Sequence, residues 1–204
     1  MEWIIENEYL AKGFKVICGT DEAGRGPLCG NVVAGACVLP IGINIDGLND
    51  SKKLSEKKRE ELFGIITEKA VAWAVGEASP KEIDEMNILN AAQTAMRRAV
   101  AKLGVIPELV LVDGNVARDF PIPAVAVIKG DALSPSIAAA SILAKVTRDR
   151  ELVALDKLYP PLGLAAHKGY PTKAHYAALN DYIDKNGAPP DFYRLSFLKK
   201  LHRQ

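Results

Sequence analysis

Two short apolar runs do most to limit how this chain can fold: Leu109–Val112 and Ala124–Ile128 contain no polar residue, and each gives way to aspartate beside glycine. A strand half open to water alternates polar and apolar residues, whereas an unbroken apolar run of this length reads as a strand buried on both faces. The turns that follow, Asp113-Gly114-Asn115 and Lys129-Gly130-Asp131, put a carboxylate at the end of each strand. Strands of this kind need helices to cover them, so the chain is expected to be an α/β protein.

The remaining segments supply both kinds of element. Lys15–Thr20 and Leu28–Leu39, rich in Val, Ile, Ala and Cys, are expected to form an opening hairpin across a Gly-rich bend. Ser55 as N-cap starts a helix to about Val71, with Leu62, Ile65 and Ile66 at helical spacing, and Trp73–Val75 follows as a short strand. Ser79, Pro80 and Glu82 carry a capping-box signature with proline at the first helical position, so one helix is expected from Pro80 to Leu103, ended by Gly104. Ser134-Pro135 opens an Ala-rich helix to about Leu158, stopped by Pro160-Pro161, and a last helix starts after Thr172. The expected division is an α/β domain over residues 1–160 and a small helical segment over 161–204.

Composition narrows the functional classes. Of 204 residues, 49% are apolar and 25% charged, which excludes a disordered chain. The 26 basic and 25 acidic residues nearly cancel, so any surface for a polyanion has to be local. Cys18, Cys29 and Cys37 lie among apolar residues and away from metal-ligand spacing, as expected of buried thiols in a reducing compartment. The N-terminal residues carry acids where a signal peptide carries bases, and no apolar run reaches membrane-spanning length, so a cytoplasmic location is expected.

Asp21, Glu22, Asp113 and Asp131 each sit where an apolar strand gives way to a Gly-containing turn. Singly, each fits an ordinary turn aspartate bonded to its own backbone. On neighbouring strands they would converge into an anionic pocket that needs cations, and hard oxygen donors favour Mg²⁺ or Mn²⁺. Adjacent residues of a regular strand face opposite ways, so a site shared by Asp21 and Glu22 requires the strand to kink there, with Gly24 and Gly26 permitting the bend.

Gly24-Arg25-Gly26 reads either as a plain turn or as a wall where backbone groups approach a ligand while Arg25 contacts phosphate. Lys52 with Lys53, and Ser141 with Lys145, Arg148 and Asp149 on one helical face, read as phosphate contacts or as a salt-bridged helix surface. Tyr170, between Gly169 and Pro171 and near Lys168 and Lys173, reads as a stacking platform or a packed loop anchor. His167, His175 and His202 form no recognisable triad, and neither a nucleophile elbow nor a P-loop is present.

Taken together these segments resemble a known family. Gly19-Thr20-Asp21-Glu22-Ala23-Gly24-Arg25-Gly26-Pro27-Leu28 resembles the opening motif of bacterial-type ribonuclease HII. Leu48–Leu54, Val112–Asn115, Lys129–Asp131, Ala139–Asp149 and His167–Thr172 resemble further motifs of that family, in order and over most of the chain. The resemblance implies a ribonuclease H-like fold: a mixed five-stranded sheet flanked by helices, with a C-terminal helical segment that grips substrate. It implies an endonuclease that cuts the RNA strand of RNA/DNA hybrids and incises DNA on the 5′ side of an embedded ribonucleotide, leaving 5′-phosphate and 3′-hydroxyl ends. By the same pattern Asp21, Glu22, Asp113 and Asp131 are catalytic, metal-binding acids serving a two-ion hydrolysis with Mn²⁺ or Mg²⁺. Gly24, Arg25, Gly26 and Tyr170 read the 2′-hydroxyl and the junction beside it, and Lys52, Lys53, Ser141, Lys145 and Arg148 hold phosphates.

Two positions depart from the pattern: Asn31 stands where many relatives have proline, and Tyr193 where histidine commonly precedes Arg194. The expected partner is nucleic acid, with no membrane and no obligate protein partner evident. A related two-metal nuclease with another junction preference, or a binding module whose acids hold metal only structurally, are the competing readings.

Overall fold

The computed structural model describes residues 1–198. It contains, in order, α1 (Ile4–Ala11), β1 (Ile17–Ala23), β2 (Val32–Val38), α2 (Glu56–Lys69), β3 (Ala72–Ala78), α3 (Pro80–Met86), α4 (Ile88–Ala101), β4 (Leu109–Asp113), β5 (Ala124–Val127), α5 (Gly130–Leu133), α6 (Pro135–Leu158), α7 (Leu164–His167) and α8 (Lys173–Asn186). The five strands form one mixed sheet in the order β3-β2-β1-β4-β5. β1 and β3 pair antiparallel with β2, while β4 runs parallel to both β1 and β5.

α6 lies along one face of the sheet and α4 along the other. The first half of α6 is buried almost all round, with Ala138, Ala139, Ala140 and Ala144 letting its backbone approach the strands closely, while its last turns reach solvent. The sheet meets it with Gly19 and Gly35. A Cβ on Gly19 would come within 2.2 Å of the Ser136 carbonyl carbon, and one on Gly35 within 2.2 Å of the Ala140 oxygen. Those clashes are with helix backbone, so Gly19→Ala is expected to destabilise the fold by about 3 kcal/mol, lowering Tm by roughly 6–12 °C in a thermal melt.

Local signals hold at most helix ends. Ser55, Ser79, Ser134 and Thr172 each cap the helix that follows, and Ser79 with Glu82 closes a capping box. The single helix expected over Pro80–Leu103 is instead two. Asn87 adopts φ 68°, and its side chain accepts hydrogen bonds from Leu89 and Asn90 amides, so it ends α3 and caps α4. With ψ at 162° that backbone is one seldom adopted outside glycine, and the two side-chain caps help to hold it, which is how a helical pattern breaks there without proline. The long strand expected from Leu28 begins only at Val32, because Leu28–Asn31 leaves the sheet and Cys29 bridges to Tyr193 of the C-terminal segment.

That segment packs through Leu162, Leu164, Leu179 and Tyr193 onto Leu28, Cys29 and Leu152. The three cysteines are free and buried, and burial pushes the Cys18 and Cys29 thiols up to about 12. Among the described residues no helix is long and apolar enough to cross a membrane.

Candidate active site

The four acids gather at the C-terminal ends of β1 and β4. The parallel ladder pairs Thr20 with Val112, and one residue further the same register sets Asp21 beside Asp113, on the face covered by α6. Asp113 Oδ1 accepts the Gly130 amide at 2.7 Å and the Asp131 amide at 3.4 Å, tying the start of α5 to the end of β4. Asp131 is thereby placed in the first turn of α5.

The kink expected at Glu22 is absent. β1 pairs with β2 without a bulge through Asp21–Gly35, Glu22–Ala34 and Ala23–Val33, and the chain bends only at Gly24, with φ +96°. Glu22 therefore leaves the strand on the face opposite Asp21. It still borders the same cleft as Lys52 and Lys145, because β1 ends one residue later and a glutamate is long enough to turn around the end of the sheet.

Crowding of carboxylates shapes the electrostatics. Asp21 is 2% exposed; burial first, then the charges of Glu22 and Asp113, hold its carboxyl well above the usual carboxylate range. Its Oδ1 accepts the Glu22 amide at 2.7 Å, whereas Oδ2 is buried with no hydrogen-bond partner. Burial also raises Glu22, against the opposing pull of Arg25 at 3.2 Å. Asp131 is raised by burial and then by Asp113 and Asp50. Burial pulls Lys52 down, but Asp21, Asp131, Asp50 and Asp113 outweigh it and raise its ammonium. With its side chain 73% exposed and 3.8 Å from Asp131, Lys52 is a weak, screened counterion for the cluster.

A buried carboxylate oxygen left idle among like charges is suited to a hard cation. Among the described residues no three acids already stand as a metal cage. Glu22 is turned to Arg25 and Asp131 to Lys52, so drawing the carboxylates around an ion requires both basic side chains to let go.

Beside the acids lies a cleft of about 410 Å³ that brings Gly24, Arg25 and Gly26 together with Tyr170, Lys52 and Lys145. Tyr170 is 44% exposed, and a Cβ on Gly26 would lie 3.4 Å from its ring, so ring and glycine backbone are near neighbours. The tyrosine's loop is held from below by His175, whose Nδ1 donates to the Tyr170 carbonyl at 2.9 Å and whose Nε2 faces the Tyr193 hydroxyl at 2.7 Å. Burial drives His175 down to about 4, so the ring is neutral at physiological pH, and the carbonyl at Nδ1 puts its proton there.

Of the residues expected to hold phosphates, Lys52 and Lys53 sit on an exposed 3₁₀ turn capped by Asp50, and Lys145 borders the cleft while paired with Asp149 at 2.8 Å. Two others are placed differently. Ser141 is buried, with its hydroxyl 2.8 Å from that of Ser51, and it opposes the elevation of the Asp21 carboxyl, which places it beside that acid rather than out towards phosphate. Arg148 is 1% exposed and donates to the Lys168 and Cys29 carbonyls, each at 3.1 Å, so it presents no guanidinium to a ligand. Helical spacing put both near the cleft, but their depth follows from the first half of α6 being buried almost all round.

Sequence reasoning missed three contributors. Arg59 donates to the Ser51 and Leu54 carbonyls and holds the Lys52–Lys53 turn, Ser51 meets Ser141, and Arg194 bonds the loop after Gly24. For Arg194 no local signal exists, because its partners lie 163 to 169 residues earlier in the chain.

This mixed sheet, with acids at the ends of its central parallel strands, is a ribonuclease H-like fold. The family model for ribonuclease HII matches residues 18–200. Ribonuclease HII of Vibrio campbellii is 56% identical over 171 residues, covering 84% of this chain and 81% of that protein, and that of Shewanella amazonensis is 59% identical over 164 residues, 80% of each. Among solved structures, ribonuclease H2 from Pyrococcus horikoshii superposes with a TM-score of 0.77 at 30% identity, over 93% of this chain and all of that one. The ribonuclease HII of Archaeoglobus fulgidus, solved as a complex with PCNA, gives 0.75 at 27% identity, over 92% of this chain and 97% of that one. The chain belongs to the ribonuclease HII family, and it is a ribonuclease H enzyme.

Proposed function

We propose that the protein is an endonuclease that cuts the RNA strand of RNA/DNA hybrids and incises duplex DNA on the 5′ side of an embedded ribonucleotide, leaving 5′-phosphate and 3′-hydroxyl ends. The observation that carries this reading is the juxtaposition of a carboxylate cluster containing an unpartnered buried oxygen, on Asp21, with a cleft bordered by Gly24, Arg25, Gly26 and Tyr170. Such a pairing joins a place for phosphate-activating cations to a backbone-lined wall, where main-chain groups can test for a single hydroxyl.

In this reading Asp21, Glu22, Asp113 and Asp131 hold two divalent cations, Mn²⁺ or Mg²⁺. Bound there, such cations supply Lewis acidity, both for activating a water and for the charge that develops on the departing 3′ oxygen. The Glu22 amide holds Oδ1 of Asp21, leaving Oδ2 free to bind. The backbone of Gly24, Arg25 and Gly26 reads the ribose 2′-hydroxyl, and Tyr170 packs against the nucleotide beyond it. Lys52, Lys53 and Lys145 neutralise phosphates, with Lys145 aimed by Asp149. The segment from residue 161 onward acts as the grip, since it carries Tyr170 and buttresses the Gly24 loop. Substrate is nucleic acid, and the place of action is the cytoplasm.

End-labelled duplex DNA with one ribonucleotide tests the proposal. With Mg²⁺ or Mn²⁺ the expected product is a single incision 5′ to the ribonucleotide, absent when a chelator is added. An RNA/DNA hybrid is run beside it: failure to cut both substrates with either ion would overturn the reading, and cutting of the hybrid alone would restrict it to hybrids.

A further inference from the structure

We infer that Arg194 is a positioning residue for ribose recognition: its buried guanidinium holds the carbonyls of the loop after Gly24 and thereby orients the wall formed by Gly24, Arg25 and Gly26. The inference rests on the proposed reading of that wall as the 2′-hydroxyl sensor.

Arg194 is 0% exposed, and every nitrogen of its guanidinium donates to main-chain carbonyls of one short loop. Nη1 reaches Pro27 at 2.8 Å and Arg25 at 3.3 Å, Nε reaches Gly30 at 3.0 Å, and Nη2 reaches Gly30 at 2.8 Å and Asn31 at 3.1 Å. Glu151 and Asp84 act on it as charges, but every hydrogen bond its side chain makes is to a main-chain carbonyl. Burying a guanidinium is costly, and here the cost is offset by the carbonyl dipoles that converge on it, together with those charges and the Phe197 ring 5.4 Å away. Burial, together with the neighbouring charge of Arg148, lowers it to about 10, so it remains charged at neutral pH and its donors stay in place.

Four carbonyls converging on one planar fork leave the loop little freedom, and only a guanidinium has five donors in that arrangement. The consequence for the cleft follows from peptide planarity. In a trans peptide the carbonyl and the next amide point in opposite directions. Holding the Arg25 carbonyl inward therefore turns the Gly26 amide away from Arg194, and Gly26 is the residue that borders the cleft next to Tyr170. The loop is further laced to the C-terminal segment by Gly30 donating to the Phe192 carbonyl and Arg194 donating to that of Leu28. Arg148 joins the wall to the tyrosine loop, since its two terminal nitrogens bridge the Cys29 and Lys168 carbonyls and Leu28 donates to Gly169. The two substrate-reading elements thus share one buried scaffold.

A purely structural brace and a positioning residue differ in what they move. A brace lost from the C-terminal segment lowers stability and scales every activity with the folded fraction. Loss of positioning changes the preference for ribose in protein that is folded. The test measures affinity for a duplex with one ribonucleotide and for the same all-DNA duplex, both with Ca²⁺, and kcat for incision with Mg²⁺, in the parent, Arg194→Lys and Arg194→Ala. Circular dichroism and thermal melts confirm folding. In folded Arg194→Lys the expected result is a fall in kcat of about 10²-fold, the scale of a misplacement near 1 Å. The ratio of the two affinities is expected to move toward one while all-DNA binding stays at the parent value. Added guanidinium chloride, but not equal sodium chloride, is expected to restore part of the preference in Arg194→Ala; if that variant does not fold, Arg194→Lys decides alone. An Arg194→Lys protein that keeps the parent's affinity ratio and kcat overturns this inference. A parent that shows no preference for the ribonucleotide overturns the reading of the wall, and this inference with it.

Discussion

Asp113→Asn is expected to reduce incision by at least about 10³-fold in kcat, equivalent to roughly 4 kcal/mol of barrier, without weakening the fold. The substitution is nearly isosteric. An asparagine oxygen can still accept the Gly130 and Asp131 amides that Asp113 Oδ1 now receives, so the start of α5 stays anchored. What disappears is one negative charge beside Asp21, on the adjacent strand and the same face of the sheet. Cation affinity falls with it, and higher Mg²⁺ or Mn²⁺ concentrations are expected to recover only part of the rate.

The same change has a stability signature of definite sign. Burial, then Glu22 and Asp113, raise the Asp21 carboxyl above its ordinary value in the folded protein. A carboxyl raised in this way binds its proton more tightly in the fold than in the unfolded chain, so it favours folding at low pH and loses that contribution as the pH rises through the folded value. Removing the Asp113 charge removes one cause of the elevation. Without added metal, Asp113→Asn is expected to lose less stability than the parent as the pH rises from the ordinary carboxylate range, as measured by thermal melts over a pH series. Parent-level incision by the variant would remove Asp113 from the site.

Gly24→Ala is the second large effect, and it strikes the wall rather than the acids. Gly24 has φ +96°, where a side chain is strained, and its Cβ would fall 2.1 Å from Arg148 Nε and 2.4 Å from Cδ. A surface arginine would swing aside. Arg148 is buried, with both terminal nitrogens committed to carbonyls, so the loop must move instead. Strain and overpacking together are expected to cost about 2–4 kcal/mol, seen as a drop in Tm of roughly 10 °C. At temperatures where the variant is folded, incision at a single ribonucleotide is expected to fall about 10²-fold, since the wall and Tyr170 no longer meet the sugar at the same distance. Normal incision kinetics on that substrate would show that the loop's backbone does not read it.

Much of this molecule is legible one segment at a time. The wholly apolar run at Leu109–Val112 is a buried parallel strand, and Ser55, Ser79, Ser134 and Thr172 cap the helices they precede; Ala124–Ile128, expected to be buried in the same way, is instead the half-buried edge strand β5, with Ile128 67% exposed beyond its end. Those signals act within one turn or one strand, so they survive in isolation. Asn87 shows the limit: it sits inside a good helical pattern, yet a positive φ and a side-chain cap on α4 divide the helix in two. Burial is harder to read. Ser141 and Arg148 share a helical face with Lys145, but the Ala-rich body of α6 is covered on every side, and only its contacts show which polar groups point inward. Residues 199–204, a short basic tail in the sequence, lie outside the described residues.

The sequence by itself determined the succession of the five strands and of the helices α2, α6 and α8, the four acids beside Gly-containing turns and the Gly-Arg-Gly bend, because caps, periodicity and turn chemistry are local. Tertiary structure decided that β1 runs unbroken through Glu22, whose side chain turns to Arg25 and borders the cleft with Lys52 and Lys145. It also decided that Arg148 and Arg194 serve the protein's own carbonyls, across separations of 119 residues for the Arg148 bond to Cys29 and of 163 to 169 for Arg194. No periodicity encodes such a pairing. It arises only when the chain has closed and a buried charge must take whatever dipoles the fold brings to it.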